Sequence, residues 1–331
     1  MANNNEIIGY MFWEPEWTGQ ELEVGKTYTP DEAYIDRFHT DRIYDGLYFT
    51  FGSPMKFSEY GAGWNSFFEE NYNYFKVVVD KDDLHSGGGA KKSVSKVKIL
   101  EKFTHDEIVD RQIEIAKNSP SFQKYTNEYE IIADANADAN ILLSGRGSTV
   151  STSGFGATVV VDECRTEEFS SGYVTFSASG RYSAVASLAS YSSLAISGIY
   201  SFIETRGYGS VVATCGNGAN VSIKSAGTNV AVSGDFSAIK STAKKVTIAI
   251  AGSHSNTAVL GEDSVIAISG RWARFKGVNG TPVCVADYGE DQKFRGFVTG
   301  CIGEKGLKPD TTYTVKNGRF IEAPAKAEAV E

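Results

Sequence analysis

The stretch of sequence most suggestive of chemistry is the glycine-rich run at residues 87–93, GGGAKKS, which is similar to a phosphate-binding loop. In such a loop a glycine precedes the Lys-Ser pair, and the N-terminus of a following helix binds the phosphate. Here Lys91 occupies the position of that glycine, and the residues after Ser93 have the character of a strand. We therefore predict a hairpin turn at this position, without a bound nucleotide.

Other side chains that could bind a metal or act in catalysis are scattered along the chain. They are His39, His85, His105 and His254, and Cys164, Cys215, Cys284 and Cys301. None of them has the spacing of a metal site, and the cysteines are expected to be free thiols. Neighbouring carboxylates such as Asp82 and Asp83 have no nucleophile or base beside them in the sequence. We therefore predict no metal, no cofactor and no catalytic residue.

Aromatic residues provide the remaining candidates for binding. Trp13, Trp17 and Tyr48 belong to a ring-rich segment that could form a stacking surface, or could fill the core of a small domain. A second set recurs at intervals of nine residues and could form a contact surface, or could stiffen the fold. This set consists of Tyr173, Tyr182, Tyr191 and Tyr200.

The nine-residue spacing belongs to a repeat that runs through residues 177–275, from SASGRYSAV to AISGRWARF. Three phrases of the same length precede it at residues 133–159, and the eight residues 160–167 interrupt the register. That interruption predicts either a tightened corner or a protruding charged loop. A repeat of this length is typical of a solenoid and not of a globular core.

Across the phrases the seventh place is nearly always small, the ninth is apolar in all but one, the following second place is often branched, and the fourth is often glycine. Places seven, nine and two share one face of a strand, and glycine suits a turn with positive φ. The pattern predicts a two-sided β-solenoid with two phrases per coil, although a triangular coil remains an alternative. It also predicts that Val185, Ile203 and Val221 form one interior column. Tyr182 should lie over Tyr200, and Tyr173 over Tyr191, on opposite flanks.

The remaining segments suggest a mainly β chain of several parts. We predict a small α+β N-terminal domain at residues 1–103, a helical linker at 104–132, the solenoid at 133–275, a β cap at 276–320 and a flexible tail at 321–331. Thr104 and Glu107 have the spacing of a capping box, so a helix should begin there. We expect this helix to join or cover the first end of the solenoid. Lys316-Asn317-Gly318-Arg319 predicts a hairpin turn in the cap.

The charge distribution restricts the classes of partner. The net charge of -9 lies in residues 1–132, where 23 acidic side chains face 14 basic ones. The solenoid is balanced, so it lacks the basic excess that would bind nucleic acid. We predict no membrane span, no signal peptide, and synthesis in the cytoplasm of a host cell.

Several motifs resemble those of an uncharacterised family of phage and prophage proteins. The segments EVGKTY at residues 23–28 and KSVSKVKI at residues 92–99 are similar to motifs of that family's N-terminal domain. The nonapeptides are similar to its SATGxxGAA-like phrases, and GLKPDTTYT at residues 306–314 is similar to its closing segment. A GFHxC-like segment of the family appears here as GLYFT at residues 46–50, without His or Cys. The resemblance implies a phage origin and this architecture, but no reaction.

These observations favour a non-catalytic structural or interaction protein of a phage particle, such as a decoration, whisker or fibre-like component. The alternative is a soluble counter-defence protein that sequesters a host factor or a signalling nucleotide. An enzyme in the N-terminal domain is the weakest hypothesis. The partner would be a protein, found in the particle or in the host cytoplasm, and the pattern is compatible with a homo-oligomer.

Overall fold

The computed structural model describes residues 5–13, 21–30, 47–50, 73–85, 91–127, 129–162 and 173–323. The N-terminal part of this region forms one antiparallel sheet in the order β2-β7-β4-β1-β3-β6-β5. Its strands are β1 (Glu6–Trp13), β2 (Thr27–Tyr28), β3 (Leu47–Thr50), β4 (Asn73–Asp80), β5 (Leu84–His85), β6 (Lys91–Val94) and β7 (Val97–Phe103). The strand predicted after the glycine-rich run is confirmed as β6, whereas residues 86–90 lie outside the described part of the chain.

Helix α1 (His105–Asn118) follows this sheet and begins as predicted. The Thr104 hydroxyl accepts from the Glu107 amide, and the Glu107 carboxylate accepts from the Thr104 amide at 2.7 Å. Phe103 and Ile108, on either side of the cap, are both buried. The capping box, together with the buried cluster to which Phe103 and Ile108 both belong, therefore defines the start of the helix. Among the described residues, no helix is long and apolar enough to cross a bilayer.

Residues 123–285 form a two-sided β-solenoid of about 8 turns, which a cap follows. Successive strands alternate between two parallel sheets, so each sheet stacks nine short strands with eight steps between them. The helix-side sheet contains β8 (Gln123–Tyr125), β10 (Asn140–Leu143), β12 (Thr158–Val161), β14 (Ala184–Ser187), β16 (Phe202–Thr205), β18 (Asn220–Ile223), β20 (Ala238–Ser241), β22 (Asn256–Val259) and β24 (Arg274–Gly277). The open sheet contains β9 (Ile131–Asp134), β11 (Thr149–Thr152), β13 (Thr175–Ala178), β15 (Ser193–Ile196), β17 (Val211–Thr214), β19 (Asn229–Val232), β21 (Thr247–Ile250), β23 (Val265–Ile268) and β25 (Pro282–Tyr288).

The predicted coil of two phrases is confirmed by the register of the ladders. Val185 pairs with Ile203, and Ile203 pairs with Val221, so each partner lies eighteen residues further along the chain. All three side chains are fully buried in one interior column. Parallel pairing on only two faces excludes the triangular alternative.

The solenoid is longer than the repeat predicts at both ends. Strand β8 begins at Gln123, ten residues before the first phrase, and β25 lies beyond the last phrase. These end strands continue the ladder without the glycine and serine pattern, because their corners have a neighbouring coil on one side only. Backbone pairing alone is enough to add them to the sheets.

The interrupted phrase marks a longer coil and not a tightened corner. Thr149 pairs with Thr175 and Thr158 with Ala184, twenty-six residues later in each case, which is eight more than the usual eighteen. The ladder then resumes in the original register. The charged residues predicted to protrude here fall mainly at 163–172, outside the described part of the chain.

Glycine at the fourth place has a different role from the one predicted. Positive φ occurs at the sixth place, for example at Tyr182 (58°) and Tyr200 (56°), and not at the fourth. A Cβ on Gly198 would lie 1.9 Å from the carbonyl oxygen of Gly180, and one on Gly216 would lie 2.0 Å from that of Gly198. The fourth place is therefore glycine because adjacent coils touch there through their backbones.

Serine at the seventh place completes this corner. The Ser201 hydroxyl donates to the carbonyl oxygen of Gly198 at 2.9 Å, and the Ser183 hydroxyl donates to that of Gly180 at 2.9 Å. Both serines are fully buried. A buried carbonyl that can no longer reach water thus obtains a partner from the same phrase.

Helix α1 joins the N-terminal sheet to β8, the first strand of the solenoid, as one of the two predicted alternatives states. It does not cover the first end, as the other alternative predicts, but packs on a flank. Its buried Ile108 and Val109 belong to one cluster with Leu142, Val160 and Ala186. The last three point outward from β10, β12 and β14. Apolar outward side chains on these strands make the flank, and not the end, the surface that α1 can bury.

An ion network built on one buried carboxylate joins the helix and the solenoid at the same place. Glu204 on β16 has no exposed surface, and the Arg206 Nε donates to its Oε1 at 2.5 Å. The Arg206 guanidinium also contacts the carboxylate of Asp110 on α1. Burial raises the pKa of the nearby Tyr74 hydroxyl, and the charge of Glu204 adds to this effect.

The cap consists of two antiparallel hairpins, one on each sheet. Strand β26 (Phe294–Cys301) pairs with β25, while β27 (Tyr313–Lys316) pairs with β28 (Arg319–Glu322) beyond β24. The predicted turn is confirmed, with positive φ at Asn317 and Gly318. Phe275 closes the interior against the rings of Tyr313 and Phe320.

We predict that Gly216→Ala destabilises the fold by about 3 kcal/mol, because the new Cβ would push two coils apart. The measurement is urea unfolding followed by circular dichroism. Ser225→Ala is the matched control, since Ser225 holds the same place on the other corner and already carries a Cβ. Equal stability of Gly216→Ala and the wild type would contradict the proposed backbone contact.

We predict that Arg206→Ala lowers the free energy of unfolding by about 3 kcal/mol, because it removes a cation from a buried carboxylate. Hydrogen exchange at α1 should accelerate in this variant. Lys244→Ala, which removes one half of an exposed pair with Glu262, is the control and should change little. An unaltered exchange rate at α1 would argue against a link between the network and helix docking.

Candidate interaction surfaces

The aromatic residues at the sixth place and next to it form columns along the two edges of the solenoid. On the edge that follows the open sheet, the rings of Tyr182 and Tyr200 stack with centroids 5.5 Å apart. On the opposite edge, Tyr173 and Tyr191 lie 5.7 Å apart. The predicted stacking on opposite flanks is therefore confirmed, and the role of these four residues in binding stays a prediction.

The columns are longer than the tyrosines alone indicate. Phe155 precedes Tyr182 on one edge, at 5.2 Å, and Tyr208 follows Tyr191 on the other, at 5.8 Å. Phe155 and Tyr208 occupy the fifth place, so a search for tyrosine at the sixth place misses them. A repeat search that allows any ring at either place would find them.

Further along the first edge, the Tyr200 ring packs over Gly218, where a Cβ would come within 2.6 Å of the ring. The column then resumes with Phe236, His254 and Trp272, whose centroids are 4.7 Å apart in each pair. Most rings in these columns have neighbouring rings on their faces. They therefore present mainly edges and hydroxyl groups, which suit contact with a protein surface better than intercalation of a planar ligand.

Arg271 closes the C-terminal end of this column. Its guanidinium carbon lies 5.0 Å from the ring centroid of Trp272 and 5.9 Å from that of Tyr288. It also donates to the side-chain oxygen of Gln292 at 2.7 Å. Trp272 nevertheless remains 54% exposed, so the last ring of the column is accessible from the side.

The three candidate binding residues of the N-terminal domain are Trp13, Trp17 and Tyr48. Trp13 is 3% exposed and packs with Met11 and Phe75 in the core of the N-terminal sheet, as the core-filling alternative predicts. It therefore does not belong to a stacking surface. Tyr48 lies in β3 opposite Ser93, and Trp17 lies outside the described residues.

A second surface, which the sequence analysis did not single out, is the outer side of the open sheet. Its outward residues form three columns, with small side chains at places one and three and side chains up to the size of valine and asparagine at place eight. A groove of about 820 Å³ runs along them and ends at Phe297 of β26. The signal was present in the sequence, because the first place of alternate phrases is alanine at Ala195, Ala213, Ala231, Ala249 and Ala267.

Groups that could support other chemistry are not brought together within the described residues. There, no three His, Cys, Asp or Glu side chains lie close enough to share a metal ion. Cys215, Cys284 and Cys301 are free thiols, and Cys215 is exposed. Cys164 lies outside the described residues.

We predict that His254 makes the stability of the column depend on pH. Burial lowers its pKa below the ordinary value of 6.5, the charge of Asp235 opposes this, and that of Arg271 adds to it. As the pH falls below 6.5, the unfolded chain takes up the proton more readily than the folded one, so stability is lost.

The test is the thermal midpoint at pH 7.5 and at pH 5.5 for the wild type and for His254→Phe. Phenylalanine is already accepted with the same positive φ at Phe236. The variant should lose less on acidification than the wild type, since it has no imidazole to protonate. A greater loss in the variant would show that the stacked imidazole prefers its charged form.

No protein-family model, no curated protein and no solved structure matches this chain. Its function must therefore be inferred from its own geometry.

Proposed function

We propose that this chain is a non-catalytic structural component of a bacteriophage particle, a decoration, whisker or fibre-like protein that presents the solenoid as a rigid rod. The observation that carries the proposal is the continuous parallel ladder on both sheets, from β8 to β24 and from β9 to β25. About 8 turns at roughly 4.8 Å each give a rod about 40 Å long.

Rigidity is the property that such a role requires, and several contacts supply it. Adjacent coils touch through backbone atoms at the glycine corners, and aromatic columns brace both edges. The interior is a single apolar cluster that extends from Ile132 to Tyr313. These contacts recur between successive coils of the described part of the rod, so bending it would break several of them at once.

The phage origin is supported by the motifs that resemble phage and prophage proteins at both ends and in the middle of the chain. The proposed partner is a protein of the particle. The balanced charge of the solenoid supports recognition by shape and neutral surface, since binding a phosphate backbone would need a basic excess.

The test is mass spectrometry of particles purified through a density gradient from a host that produces the phage encoding this chain. We expect the chain in a fixed ratio to the major capsid protein. A non-structural phage enzyme should be depleted in the same sample and serves as the control for contamination. Absence of the chain from purified particles would refute the proposal.

The acidity of residues 1–132 supports a second candidate, a soluble phage protein that sequesters a host factor. A basic protein is the partner that this charge would attract, because like charges disfavour a free nucleotide. If the chain is missing from particles and retains a specific host protein from lysate, this candidate replaces the first. Retention should then weaken as the salt concentration rises.

A further inference from the structure

The outer side of the open sheet is exposed to solvent, and it is broad enough to bind another protein. From β15 to β23 every outward residue at places eight, one and three is exposed. Alanines such as Ala213, Ala231 and Ala249 line the groove formed there. We call this surface, formed by the outward residues of β11 to β25, the open face.

The open face carries no charged side chain at places eight, one and three from β11 to β23. Charged residues make up 22% of the chain, so their absence from three adjacent columns is a distinctive feature. A neutral face can meet a copy of itself without repulsion, even though the chain has a net charge of -9.

The helix-side sheet shows how outward alanines pack when another element, here helix α1, lies on them. There the outward alanines Ala184 and Ala186 are fully buried in one cluster with Ile108 and Val109 of α1. Away from this contact the same sheet carries outward charges, such as Lys240 and Lys276. Ala184 and Ala186 thus show that small uncharged outward residues of this solenoid can be fully buried by a partner packed on the sheet.

The dimensions of the open face suit a second copy. Eight strands about 4.8 Å apart and five residues at about 3.3 Å each give about 600 Å² per copy. Two copies would bury about 1,200 Å², which is the lower limit for a specific interface. The expected product is a reversible dimer that depends on concentration.

The ends of the open face also fit this occupant. Phe297 stands at the C-terminal end, is 55% exposed and lines the groove. At the other end the side chain of Ala135 is small and exposed. If two copies pack antiparallel, each Phe297 lies over the Ala135 region of its partner. The bulky ring at one end of the face then meets the small side chain at the other.

From these observations we infer that the open face is a homodimer interface, in which two solenoids pack face to face and antiparallel about a twofold axis between β17 and β19. This axis bisects the ten-stranded order of the open sheet. It places Cys215, exposed at the end of β17, about one strand spacing along the stack from Cys215 of the second copy. The inference does not depend on the proposed role in a phage particle.

The first test is sedimentation velocity of the full chain over a hundredfold range of concentration, for wild type, Ala231→Glu and Thr242→Glu. Ala231 lies on the open face beside the axis, so its replacement should bring like charges together and leave only monomer. Thr242 is exposed next to the helix-side sheet, so its replacement should leave the dimer intact. Thermal midpoints verify that both variants fold.

The second test does not rely on a variant of the face. In a chain in which Cys164, Cys284 and Cys301 are replaced by serine, a short bismaleimide should link two copies through Cys215. The yield should fall when Ala231→Glu is added. Wild type that stays monomeric, a dimer that survives Ala231→Glu, or a trimer would each overturn the inference, because a twofold face closes with two copies.

Discussion

The structure depends on one constraint, the stacking of each coil on an equivalent copy of itself at the distance of a single strand spacing. Any side chain at a given place meets the same place in the coils before and after it. At the Gly180, Gly198 and Gly216 corner this distance leaves no room for a Cβ. The sixth place, by contrast, points away from the coil, so a large ring there can pack over the ring of the next coil.

The same constraint explains why a regular interior supports two dissimilar outer faces. Inward places must match their neighbours in every coil, which keeps Val185, Ile203 and Val221 in register. Outward places are free of that requirement. On one side they have become a docking site for α1, with Glu204 and Arg206 at its margin, and on the other they form an uncharged alanine floor. The strand ladder is thus the same on both sides of the rod, while the surface chemistry differs between the two sides.

The sequence predicts correctly those elements that depend on interactions between residues close together in the chain. The Thr104–Glu107 capping box and the Asn317-Gly318 turn are local, and both are found where the pattern places them. The prediction that glycine at the fourth place adopts positive φ was wrong, and the reason is physical. Glycine can be required either because the backbone adopts positive φ or because a neighbouring coil lies too close for a Cβ. Only the position of the Gly180 carbonyl oxygen, next to Gly198, shows that the second reason applies here. The burial of Trp13 likewise depends on strands distant in sequence.

By itself, the sequence determined the period, the pairing of coils eighteen residues apart, the interior columns and the stacked tyrosines, because each follows from a repeat that every coil obeys. Only the tertiary structure decided which corner needs glycine, where the solenoid begins and ends, and which outer face α1 covers. Those features arise from contacts between unlike segments, such as Asp110 with Arg206, and no periodic pattern records them.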